Sequence, residues 1–105
     1  MGWEKVAKIS DFPKSNLISV KTKGKEICLI KSGDDVYAIS DICTHEECEL
    51  HDGFIEGDGK ILQCSCHGAR YEFATGKVQE DTPWATEDLK TYKTKIENEE
   101  IFVDV

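Results

Sequence analysis

Apolar and β-branched residues come in short runs along this chain, and each run is cut by turn-forming residues. Val, Ile, Thr, Tyr and Phe recur in stretches that end at Gly, Asn or Asp, which is the pattern of strands joined by tight turns. It predicts strands near residues 3–8, 17–23, 26–31, 36–40, 54–56, 60–63, 70–73, 77–79, 89–96 and 101–105. A single helical turn is suggested at Ser10 to Lys14. Turns fall at Lys23-Gly24-Lys25, Ser32-Gly33-Asp34-Asp35, Gly57-Asp58-Gly59, Thr75-Gly76 and Glu97-Asn98-Glu99. That spacing suits antiparallel hairpins in a sandwich or barrel, so the expected class is all-β.

With 105 residues the chain has length for one domain. A domain of this size buries only about 60 to 65% of its unfolded surface, so a bound cofactor would help to stabilise it. The longest apolar run, Ile27 to Ile30, is far short of the roughly 20 residues that span a bilayer. The opening residues, Met1 to Val6, lack the apolar core of a signal peptide and the Ser or Thr of a myristoylation signal. A cytoplasmic protein with no membrane anchor is expected. Its 13 basic and 21 acidic residues give a net charge of −8, which argues against nucleic acid and favours solubility or a partner with a basic docking face.

Five cysteines in a short chain suggest disulfides if secreted and a metal site if cytosolic. Cys28 lies inside an apolar strand and reads as a small buried hydrophobe. The other four lie in two stretches that break the strand pattern, residues 41–53 and 64–68, with a hairpin between them. Cys43 and His45 are two positions apart; Cys64 precedes His67 by three. A hairpin would set the loops side by side, so that each gives a sulfur to one metal and a nitrogen to its neighbour. A tetrahedral Cys2His2 zinc site remains open on ligand type, as do four thiolates from Cys43, Cys48, Cys64 and Cys66, or disulfides alone. His51 has no partner at a ligand spacing and reads as a surface side chain. Asp58-Gly59-Lys60 lacks the glycine and hydroxyl that a phosphate loop needs.

Cys43-Thr44-His45, the hairpin and Cys64-Ser65-Cys66-His67 together resemble the Rieske family, whose pattern is Cys-x-His, a hairpin, then Cys-x-x-His. The 18 residues between His45 and Cys64 are slightly more than usual, an excess placed in the Gly57-Asp58-Gly59 turn. The resemblance extends to Gly53, Gly68 and the tail from Pro83 to Val105. It implies a three-layer antiparallel β sandwich, one domain over residues 1–105, with a cluster-binding subdomain from about 41 to 81. It implies one [2Fe–2S] cluster, with Cys43 and Cys64 on the iron that stays ferric and His45 and His67 on the reducible one. In such centres two His replace two Cys, which raises the potential by removing negative charge.

The same resemblance implies a Cys48–Cys66 disulfide between the loops and a covering loop at Thr82-Pro83-Trp84. It also makes Tyr71 a hydrogen-bond donor to the cluster surroundings, whereas Ala69 stands where high-potential relatives carry Ser; alternatively Tyr71 is a core aromatic. The implied function is a monomeric one-electron carrier between a reductase and an oxygenase or other redox partner, not an enzyme. Two alternatives are a non-catalytic subunit of a reductase and a zinc-binding module.

Overall fold

Four consecutive apolar residues with no polar alternation need cover on both faces of a sheet, and Ile27–Ile30 has it, every side chain of the four being fully buried. In the computed structural model, which describes residues 2–42, 48–56, 59–65, 68–79 and 87–105, this run is the centre of the middle of three sheets. The strands in chain order are β1 (Trp3–Lys8), β2 (Leu17–Thr22), β3 (Lys25–Ser32), β4 (Asp35–Ser40), β5 (Phe54–Ile55), β6 (Ile61–Gln63), β7 (Arg70–Glu72), β8 (Lys77–Val78), β9 (Thr91–Tyr92), β10 (Thr94–Glu97) and β11 (Glu100–Asp104). The middle sheet runs β2-β3-β4-β9; the flanking sheets run β1-β11-β10 and β5-β6-β7-β8. All pairings are antiparallel.

Side chains alternate across a strand, so β3 supplies two cores. Ile27 and Leu29, with Val36 and Ala38 of β4, pack on Ala7, Ile101 and Val103 of the first sheet. Cys28 and Ile30, with Leu17 and Ile39, pack on Leu62, Tyr71 and Phe73 on the other face of the sheet. The expected three-layer sandwich is therefore what forms. Cys28 is the buried hydrophobe it was expected to be, and burial, with the charge of Asp41 adding to it, pushes its thiol well above the ordinary range.

Two expectations change. The single strand expected over 89–96 is divided: β9 pairs with β4 in the middle sheet, whereas β10 pairs with β11. The segment changes sheet at Lys93, whose carbonyl accepts from Asp104. Leu89 is turned into the core instead of pairing. The helical turn lies at Ile9–Asp11 as a single 3-10 turn. Among the described residues no helix is long and apolar enough to cross a membrane.

Because Leu29 is fully buried in the strand that both cores share, Leu29→Ala should cost about 2–5 kcal/mol. Urea unfolding followed by circular dichroism checks this. A loss below about 1 kcal/mol would mean that the middle sheet collapses readily around the gap.

Candidate metal centre

The second loop closes tightly on the end of the β6–β7 hairpin. Gln63 and Arg70 are the last paired residues. Just beyond them the Cys64 N–H donates to the Ala69 carbonyl at 2.7 Å, and the Gly68 N–H donates to the Cys64 carbonyl at 3.1 Å. Cys64 is thus held at the head of a turn, 1% exposed, and forms no disulfide. Ala69 and Tyr71 are both fully buried, Tyr71 in the same core as Cys64. A buried thiol at the mouth of a rigid turn suits a thiolate ligand, which a metal would hold deprotonated.

The first loop leaves β4 through Asp41 and Ile42 and returns through Cys48 and Glu49, with Ile42 and Glu49 forming a bridge. A one-turn 3-10 helix, Leu50–Asp52, follows, with Leu50 fully buried. Cys48 packs against the core that contains Cys64, so sulfur atoms from both loops converge on one region. Cys43, His45, Cys66, His67 and Pro83 lie outside the described residues, as do Gly57 and Asp58 of the expected hairpin tip. Among the described residues Cys28 and Cys64 form no disulfide.

Gly53 joins the two loops. A Cβ there would lie 2.2 Å from the Gln63 carbonyl oxygen and 3.1 Å from that of Leu50. The exit of the first loop therefore lies flat on the residue just before Cys64, an approach only glycine permits. Outside this seam Glu56 and Arg70 form a two-point ion pair, at 2.6 and 2.8 Å. It reaches from the end of β5 across β6 to the start of β7. A second close approach is at Gly76, with φ +79°, where a Cβ would lie 2.1 Å from the Leu89 carbonyl oxygen. The Leu89 N–H donates to the Gly76 carbonyl and the Val78 N–H to Asp88 Oδ1. Those bonds hold residues 76–78 against 88–89.

His51 is not the isolated surface residue that its spacing suggested. Its Nδ1 lies 2.7 Å from Oδ2 of Asp41, which is 1% exposed, and its main-chain N–H donates to Oδ1 at 2.8 Å. Its Nε2 lies 3.5 Å from carboxylate oxygens of both Glu49 and Asp52. Burial of the ring works against its charge, but the Asp41 hydrogen bond and the charges of Asp41, Asp52 and Glu49 outweigh it and raise the pKa. Asp41 went unnoticed in the sequence because no local pattern links it to a residue ten positions on. The one signal was a lone carboxylate at the end of an apolar strand, which needs a partner if buried.

The chain matches the model of the Rieske [2Fe-2S] domain over residues 2–93. It is 40% identical over 96 residues to the ferredoxin component of the naphthalene 1,2-dioxygenase/salicylate 5-hydroxylase systems of a Ralstonia species, covering 91% of this chain and 88% of that one. It is 31% identical over 103 residues to the ferredoxin component of the naphthalene 1,2-dioxygenase system of Pseudomonas putida, covering 98% and 95%. In fold it is similar to the ferredoxin of carbazole 1,9a-dioxygenase from Nocardioides aromaticivorans, with a TM-score of 0.88 at 24% identity over 98% of this chain and 97% of that one.

Gly53→Ala should force the two loops apart, because the added methyl meets main chain and not a movable side chain. The variant should carry less iron per chain and unfold at lower temperature. Iron analysis with calorimetry checks it, and a full iron complement at unchanged stability would show that the seam has slack.

Proposed function

The chain belongs to the Rieske [2Fe-2S] family, and on that premise we propose that it is an electron carrier that shuttles single electrons from a reductase to an oxygenase or other redox partner and catalyses no reaction itself. What carries this reading is the match of nearly the whole chain, at 40% identity, to a protein that is the ferredoxin component of a dioxygenase system. A solved complex of oxygenase and ferredoxin in carbazole 1,9a-dioxygenase, with a ferredoxin-like chain 26% identical to this one at a TM-score of 0.83, supports an oxygenase as the acceptor.

When bound, a [2Fe–2S] cluster supplies a one-electron couple. In the proposed arrangement the chain holds one such cluster, with Cys43 and Cys64 as thiolate ligands to one iron and His45 and His67 as imidazole ligands to the other. Buried Cys64, on its closed turn, supports this set. A Cys48–Cys66 disulfide would tie the loops together, which agrees with Cys48 packing against the core that contains Cys64. Pro83 would belong to a loop covering the cluster. The working unit is a cytoplasmic monomer of one domain, 1–105, whose ligand-bearing part spans about residues 41–81. Its charge of −8 suits a partner with a basic docking face.

Electron paramagnetic resonance of the reduced protein tests the ligand set. The expected signal has the low average g of mixed nitrogen and sulfur ligation, and His67→Ala should abolish it. A colourless, silent protein that contains zinc, or an unchanged signal in His67→Ala, would overturn the reading.

Tuning of the potential follows from residues 69 and 71. Ala69 and Tyr71 are both fully buried beside the second loop, and a hydroxyl there can donate to cluster sulfur, whereas a methyl cannot. A hydrogen bond worth about 1 to 2 kcal/mol more in the reduced state equals roughly 45 to 90 mV for one electron. Tyr71→Phe should lower the potential and Ala69→Ser should raise it, each by tens of millivolts, as read by protein-film voltammetry. Shifts near zero in both would leave Tyr71 a core aromatic.

A further inference from the structure

Asp41 is the only buried charged residue among the described residues. A buried carboxylate is costly unless it is fully bonded, and here every polar group of Asp41 is engaged. Its N–H donates to the Glu26 carbonyl at 3.1 Å and its carbonyl accepts the Leu50 N–H at 2.6 Å. Oδ1 accepts the His51 N–H at 2.8 Å, and Oδ2 meets His51 Nδ1 at 2.7 Å. Three of these four contacts reach residues 50 and 51. Ile42 bridges to Glu49 beside them, and Leu50 is anchored in the core. The neck of the loop is thus laced shut between residues 41–42 and 49–51.

We propose that Asp41 and His51 are a positioning pair for the metal centre: the carboxylate closes the neck of the first loop and so fixes the frame from which Cys43 and His45 are presented. The inference rests on the ligand assignment proposed above. An apolar residue of similar volume would usually serve stability as well as a buried charge, or better. What a carboxylate adds is direction. Its two oxygens engage the main chain and the ring of the same residue, fixing both the path of the returning chain and the rotation of the His51 side chain. Bonds of this kind behind a ligand shell orient the ligands.

The test compares Asp41→Ala, Asp41→Asn and His51→Gln with the parent in two measurements. The first is amide hydrogen exchange at Leu50 and His51, which reports on the neck whatever metal is bound. In Asp41→Ala these amides should exchange about tenfold faster than in the parent, with Asp41→Asn, which keeps an acceptor, closer to the parent. The second is the line width of the paramagnetic signal, which spreads when ligand geometry becomes heterogeneous. Asp41→Ala should lose the narrow lines and Asp41→Asn should largely restore them. If Asp41→Ala holds no iron, His51→Gln, which keeps the main-chain bond and loses the ring bond, should still show broadened lines. Parent-like lines in the Ala variant, or in His51→Gln where the Ala variant is empty, would overturn the proposal even if the unfolding midpoint fell, since that is the outcome of a purely structural role. A parent protein without the mixed-ligand signal would instead refute the ligand assignment, while exchange at Leu50 and His51 still reports on the neck.

Discussion

The whole arrangement depends on β3 having no solvent face. Four adjacent apolar side chains, Ile27 to Ile30, are each withdrawn from water, which at about 1.5–3 kcal/mol for each large side chain is a strong demand for cover on both sides. One side is met by the β1-β11-β10 sheet and the other by the β5-β6-β7-β8 sheet together with Leu50. The β5-β6-β7-β8 sheet is therefore not an appendage. Leu62, Tyr71 and Phe73 are needed to cover Cys28 and Ile30, so the hairpin that carries the second loop is fixed by the same burial that makes the middle sheet.

From that anchored base, precision is added by polar contacts and glycine. Gly53 lets the first loop lie on the Gln63 carbonyl, and the Cys64–Ala69 hydrogen bond closes the second loop directly beyond it. Asp41 closes the neck of the first loop from the opposite direction. Apolar burial sets which layers meet. It is non-directional, so it cannot by itself fix the path of each loop, which these directional contacts set.

This division also explains what could be read from the chain before its structure. The strand around 27–30 with its buried Cys28 and the turns at 23–24 and 98–99 were legible, because each is written within a few adjacent residues. The change of sheet at Lys93 was not, since Leu89 to Ile96 carries one continuous strand signal and only the competition between β4 and β11 for partners divides it. The Asp41–His51 pair was also hidden. Spacing tests whether two residues can share a metal in one loop, and a bond ten residues long that depends on burial leaves no such mark. His51 looked idle because its partner, Asp41, stands at the far end of the same loop, ten positions earlier.

Charge has two separable effects here, and magnitudes tell them apart. A unit charge about 15 Å from the electron interacts by only roughly 0.3 kcal/mol in water, and salt at about 0.1 M screens that severalfold further. Even the net −8 of the chain then amounts to less than one well-placed hydrogen bond at the cluster, worth about 1 to 2 kcal/mol. The same exposed charges act together on an approaching protein, because a partner's basic patch experiences their summed field at the moment of contact. In the proposed carrier the acidic surface would therefore act on the choice and rate of docking. In the proposed arrangement the potential would belong to the few buried groups around Cys64, Ala69 and Tyr71 among them.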